Sequence, residues 1–161
     1  MSLYEGGINI PFIAKWKGVI PAKTNSNQHV VSLDIFATAA AVSGSALPID
    51  RKYDGVNLIP YLTGTARGNI HKTLYWRSGY NKAIRKGDWK LVLNLKDNIT
   101  ALYNLSTDKS ETTNLITKFP AKVTELKKDL ENWEKDLVKP LWPSNGFFKN
   151  EFNGQLDRFT L

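Results

Sequence analysis

The chain has 161 residues, a formal net charge of +7, 42% hydrophobic and 23% charged residues, and no cysteine. That size and balance suit a globular domain with an appendage, and no run of about 18 apolar residues is present that could form a membrane-crossing helix. Zero cysteines exclude a disulfide framework, a thiolate metal site and a cysteine nucleophile within these residues. The positive charge is spread from Lys15 to Lys149 without a run of four, which describes a solvated lysine-rich surface rather than a concentrated polyanion site.

Met1-Ser2-Leu3 resembles a vector-derived start, and the chain from Tyr4 onward reads like the middle of a protein. Gly6 and Gly7 predict a tight turn using backbone angles that side chains disfavour. Ile8, Ile10, Phe12, Ile13, Ala14 and Trp16 predict a largely buried strand, with Pro11 near its start. Such a strand needs neighbours, so its edge at 10–16 is expected to self-associate or fray. Residues 22–28 form a polar loop. Residues 30–43 predict a helix with Ser32 as N-cap, Gly44 as stop and an alanine-rich surface for packing against a sheet or another helix. Pro48 and Asp54-Gly55 mark turns, and 58–62 predict one helical turn ended by Gly64.

From residue 70 the texture changes. Residues 73–77, 82–85, 89–93 and 101–105 predict four short strands joined by tight turns, hence an antiparallel sheet. Val123, Leu126, Leu130, Trp133 and Leu137 recur at spacings of three and four, the stripe of an amphipathic helix that would cover the sheet. The tail at 139–161 is apolar enough to pack along a surface. The fold class is therefore α+β.

The residues alone supply no catalytic constellation. His29 and His71 stand apart, with no carboxylate at ligand spacing, and no Gly-rich phosphate loop or nucleophile elbow occurs. Trp76 and Tyr80 flank the loop Arg77-Ser78-Gly79 and could stack on sugar rings. Arg77 and His71, beside the same strand, could meet an anion. These four are the candidate substrate-binding residues; the candidate catalytic and metal-binding sets are empty.

Six segments in order resemble the C-terminal part of the sulfatase family, the arylsulfatase-like members of the alkaline phosphatase superfamily. Tyr4-Glu5-Gly6-Gly7-Ile8 with Pro11 is similar to its Tyr-Glu-Gly-Gly signature, although Asn9 stands where the family usually has arginine. Trp16-Lys17-Gly18-Val19-Ile20 resembles Trp-Pro-Gly-x-Ile. Ser32-Leu33-Asp34-Ile35-Phe36-Ala37-Thr38 resembles Ser-x-x-Asp-(Leu/Ile)-x-Pro-Thr. The stretch from Asp54-Gly55 to Tyr61-Leu62 resembles Asp-Gly-x-(Ser/Asn)-Leu-x-Pro-x-Leu. Gly87-Asp88-Trp89-Lys90-Leu91, and Leu102-Tyr103-Asn104-Leu105 with Thr107, Asp108, Glu111, Asn114 and Leu115, resemble the family's closing pair of motifs.

The resemblance implies a domain plan. Residues 4–64 would be the terminal strand and helix segment of an α/β catalytic domain, and 65–138 a small subdomain whose four-stranded antiparallel sheet is packed by a long C-terminal helix. A surface-packed tail, 139–161, falls outside the resemblance. It also implies a parent that hydrolyses sulfate esters, on carbohydrate or aryl groups, using formylglycine and calcium in a periplasmic or secreted setting. The family's catalytic residues precede Tyr4, so this segment would hold no cofactor, would be silent alone, and would partner the N-terminal catalytic portion of the same chain, with no nucleic acid and no membrane span. The sequence leaves two alternatives open: a free-standing polyanion- or glycan-binding module using lysines and exposed aromatics, and a phosphate-transferring relative in the same superfamily.

Overall fold

The computed structural model describes residues 2–141, and the backbone of 147–152 and 155–160. In chain order its elements are α1 (Glu5–Ile8), α2 (Leu33–Val42), α3 (Ile59–Leu62), β1 (Thr73–Ser78), β2 (Asn81–Lys86), β3 (Trp89–Asn94), β4 (Ile99–Asn104), α4 (Pro120–Lys135), β5 (Phe147–Phe152) and β6 (Gln155–Thr160). They fall into two compact units. One joins residues 1–10 to 73–161, and the other is 11–72.

In the first unit, β1 to β4 form an antiparallel meander in simple sequence order. Its registers include Trp76 opposite Ala83, Arg85 opposite Lys90 and Lys90 opposite Tyr103. Because side chains alternate across a strand, each face has its own set. One face buries Ile84, Leu91, Leu93 and Leu102 against Val123, Leu126 and Leu130 of α4, with Tyr75, Trp89, Phe119 and Trp133 around them. Tyr75 and Trp133 stack with ring centroids 4.9 Å apart. Each fully buried aliphatic side chain contributes about 1.5–3 kcal/mol, so this interface supplies much of the unit's cohesion. Pro120 begins α4 at a position where its missing N–H costs nothing. The predicted α+β class, the four strands and the covering helix all stand.

The other face is also covered. Leu3, 2% exposed, joins Ala83, Val92, Ala101, Tyr103 and Leu105, with Tyr4, Ile8 and Trp76 packed alongside. The opening segment is therefore a lid on the sheet, and its leucine lies within the three residues read as vector-derived. β5 and β6 pair as a separate antiparallel hairpin. The expected packing of the tail concerns side chains outside the described residues.

Two expectations for the opening segment are corrected. Residues 5–8 form a single helical turn instead of a turn feeding a strand, and neither Gly6 nor Gly7 has positive φ. Gly7 is needed for space: a Cβ there would lie 2.6 Å from the Ser2 carbonyl oxygen. No strand forms at 10–16. Ile10 and Ile13 are 78% and 89% exposed, and none of the described strands pairs with this run. An alternating apolar pattern becomes a strand only where a neighbour supplies the hydrogen-bond ladder. The self-association expected through a strand edge at 10–16 loses that basis.

In the second unit, α2 and α3 end on Gly44 and Gly64, both with positive φ, as the sequence predicts. Ser32 occupies the N-cap position but makes no side-chain cap bond. Asp34 in the first turn instead ties the flanking chain to the helix, its buried carboxylate accepting from Val31 N and Val56 N, each at 2.8 Å. Thr38 Oγ1 accepts from Leu58 N at 3.0 Å. The loop at 54–56 thus crosses the start of α2 at close range. A Cβ on Gly55 would lie 2.1 Å from the Leu33 carbonyl oxygen. Gly55→Ala is therefore expected to lower stability by about 1–3 kcal/mol, the usual cost of forced overpacking. Urea unfolding monitored by Trp fluorescence measures it, and a loss below about 0.5 kcal/mol, the range of an ordinary surface change, contradicts the close crossing.

Candidate functional site

The four sequence-predicted site residues are divided between the two units. His71, in the second unit, has a side chain only 10% exposed, and its Nε2–H donates to both oxygens of Asp34 at 2.9 Å. Asp34 is fully buried, so imidazole and carboxylate complete one clamp on α2 together with the two backbone N–H groups. The other three residues lie in the first unit. Trp76 packs on the lid face of the sheet. Arg77 lies on the opposite face, donating to the Val138 carbonyl at 3.0 Å and facing Glu134 at 3.8 Å. Tyr80 sits in the turn between β1 and β2, 43% exposed, with Lys96 Nζ 5.4 Å from its ring centroid. Leu95 N donates to Tyr80 O, tying this turn to the one between β3 and β4. Trp76 and Arg77 are thus separated by the sheet itself, and Tyr80 and Lys96 are brought together at its end.

The densest charge cluster was not legible in the sequence. Lys90, on the lid face of β3, is completely buried. Its ammonium lies 2.8 Å from Glu5 Oε1 and 2.8 Å from Glu111 Oε1. Arg85 Nη1 approaches Glu5 at 3.4 Å, and Glu5 N donates to the Glu111 carboxylate. Glu111 reaches inward from a backbone with φ of +54°, uncommon for a residue with a side chain. Burial pushes the Glu111 carboxyl above its ordinary value, against the pull of Lys90. Its loop is fixed by Asp108, whose carboxylate accepts from Thr112 N at 3.1 Å and Thr113 N at 2.9 Å. Burial works against the charge on Asp108, but these backbone donors outweigh it and hold its carboxyl below the usual value. A buried charge is tolerable only when fully paired. Two carboxylates and two cations meet here as ion pairs, so the cluster is a clamp of the lid segment to the sheet.

Among the described residues, no group of three or more His, Asp or Glu side chains is placed to hold a metal ion. Among the described residues, no helix is long and apolar enough to cross a membrane.

The comparisons with known proteins accord with this architecture. The family model described as N-sulphoglucosamine sulphohydrolase, C-terminal, matches residues 1–138. The chain belongs to the sulfatase family. It is 31% identical to a sulfatase of Formosa agariphila over 91% of this chain and 30% of that one. Human steryl-sulfatase is 37% identical over 51% of this chain and 14% of its own. The solved structure of Ps i-CgsB, also determined in complex with k-i-k-neocarrahexaose, superposes with a TM-score of 0.66 at 25% identity, covering 80% of this chain and 29% of that one. This sulfatase chain thus spans less than a third of the length of these relatives.

Within the family frame, the motif residues Glu5, Lys90 and Glu111 form one contact, and Asp34, Gly55 and Val56 another. Lys90→Met leaves two carboxylates without their buried cation and is expected to cost about 3–5 kcal/mol at pH 7. In that variant the Glu111 carboxyl, already raised by burial, loses the opposing pull of Lys90 and rises further above its value in the unfolded chain. Its deficit relative to the parent chain should therefore shrink as pH falls into the carboxylate range, where Glu111 takes up a proton. Urea titrations at pH 7 and pH 5 check the sign: a deficit that grows on acidification contradicts the clamp.

Proposed function

We propose that this chain is the C-terminal portion of a sulfatase whose full-length form hydrolyses sulfate esters on carbohydrate substrates. The observation that carries the reading is the family match over residues 1–138, combined with the chain's span of 30% of the Formosa agariphila sulfatase. The carbohydrate substrate class draws on the likeness to Ps i-CgsB, solved with a bound oligosaccharide. In this reading residues 4–64 close the catalytic domain and 65–138 form its small subdomain. Formylglycine and calcium belong to the portion that precedes Tyr4, and the full-length protein works in the periplasm or outside the cell. The role of residues 4–138 is architectural, with Tyr80 and Lys96 as the substrate-facing candidates. Arg77 and His71 serve the packing of their own units, through Glu134 and Val138 in one case and Asp34 in the other.

Three observations test this. The 161-residue chain, assayed with an aryl sulfate and calcium, is expected to give no turnover; measurable hydrolysis overturns the assignment of catalysis to the preceding portion. The coding sequence upstream of Tyr4 is expected to contain a Cys/Ser-x-Pro-x-Arg motif, and a reading frame that opens at Met1 overturns the proposal itself. In the full-length enzyme, Tyr80→Ala should raise KM for a sulfated oligosaccharide about fivefold with kcat unchanged, the equivalent of about 1 kcal/mol of lost ring contact. Unchanged KM removes Tyr80 from the substrate path.

A further inference from the structure

The lid segment is held to the sheet in two ways that differ in kind. Leu3, Tyr4 and Ile8 cover Ala83, Val92, Ala101 and Tyr103, and the Tyr4 and Tyr103 rings meet edge to face with centroids 6.1 Å apart. Contact of this sort scales with area, has no direction and tolerates sliding. Glu5 tolerates none. Its Oε1 lies 2.8 Å from Lys90 Nζ. Its Oε2 lies 3.4 Å from Arg85 Nη1 and accepts from Asn9 Nδ2 at 3.1 Å. Its backbone N–H donates to the Glu111 carboxylate. Both side-chain oxygens and the main chain of one residue are thus fixed, from β2, from β3 and from the loop after β4. The Lys90 and Glu111 side chains are buried and that of Glu5 is nearly so. In dry surroundings such a network is stiff, because no water replaces a partner that moves away.

An anchor at Glu5 constrains the chain that leads into it. Leu3 is buried against the same sheet face, so there is no slack between the cluster and the start of the lid. A segment that slips by one residue along a sheet moves by about 3.3 Å. Misplacing a reacting group by about 1 Å costs about a hundredfold in rate. One residue of slip in the lid exceeds that tolerance, and the ion cluster is the contact that forbids it.

Resting on the sulfatase reading above, in which the catalytic groups precede Tyr4, we infer that Lys90 and Glu111 are positioning residues for sulfate-ester hydrolysis. Acting through Glu5, they fix the point at which the catalytic portion of the full-length chain runs into the small subdomain. That point sets how the incoming chain presents its reacting groups. Neither Lys90 nor Glu111 touches substrate; the effect of each passes through the register of the lid.

The test separates placement from stability. In the full-length enzyme, Lys90→Met combined with Glu5→Gln and Glu111→Gln replaces the charged cluster by a neutral one of similar volume. Exchanging a whole buried ion cluster in this way preserves folding far better than removing one member. Circular dichroism and thermal melts check the fold. Leu130→Ala, in the core under α4 on the opposite face of the sheet, is the comparison, since it loosens the same subdomain without touching the lid. Steady-state kinetics with an aryl sulfate are run at a temperature where every variant is folded. The triple variant should lose about tenfold or more in kcat with KM within about twofold, while Leu130→Ala keeps kcat within about twofold of the parent. Glu5→Gln alone, which leaves Lys90 paired with Glu111, is the second reading should the triple variant fail to fold. It should lower kcat about threefold or more with KM unchanged. Parental kcat in the triple variant or, where that variant does not fold, in Glu5→Gln overturns the inference and leaves the sulfatase reading standing. So does an equal loss of kcat in Leu130→Ala, which makes the cluster merely structural. A full-length protein that hydrolyses no sulfate ester overturns both.

Discussion

The first unit depends on one buried ion cluster. Lys90 stands at the centre of the sheet with no access to water, and ion pairs with Glu5 and Glu111 make its burial tolerable. These partners come from the opening segment and from the loop after β4, so one ammonium joins parts of the chain that are far apart in sequence. Leu3, Tyr4 and Ile8 could cover the lid face through apolar contact alone, but such contact has no direction. The ion cluster supplies direction. Glu5 can meet Lys90, Arg85 and Glu111 together only if residues 2–8 lie in one register on β2, β3 and β4. The αL backbone at Glu111 is the local cost, and the Asp108 bonds to Thr112 and Thr113 help hold it.

The second unit solves a similar problem with a different charge. Asp34 is the fixed point, and α2, the loop at 54–56 and the segment at His71 converge on it. The unit thus holds a short helix by polar bonds more than by an apolar core. Ten residues are too few for a helix to persist on propensity alone. Anchoring by Asp34 and Thr38 releases the opposite face, and that face is the apolar one. The polar clamp and the exposed stripe are consequences of the same arrangement.

How much of this was legible depends on the range of the interactions. The strands β1 to β4 and helix α4 have their packing partners within about 60 residues, and their periodicity states which face is buried, so pattern alone places them. The run at 10–16 has an equally good pattern and forms no strand, because a period of two says that a neighbour is wanted without saying that one is present. The helix at 33–42 was placed correctly, while its alanine-rich surface was expected to pack, and in this unit its apolar stripe does not. Lys90 read as the polar member of an alternating strand. Nothing local distinguishes a lysine that points to water from one that meets two carboxylates across the fold. The family motifs held that information in another form, since Glu5, Lys90 and Glu111 each fall within a separate motif.

The motifs of this segment divide between structure and chemistry. A charged residue that recurs in an enzyme signature invites a catalytic reading, and the charged candidates His71 and Arg77 invited a binding one here. Their surroundings argue for support instead: His71 is spent on Asp34, and Arg77 on the Val138 carbonyl and the charge of Glu134. Glu5, Lys90, Asp34 and Glu111 likewise have their charges absorbed by one another or by backbone donors. A group committed in this way has little left to offer a substrate oxygen, because freeing it would expose an unpaired charge in a dry site. The signature residues of this segment are therefore best understood as the means by which a sulfatase holds its closing sheet and its α2 surface in place.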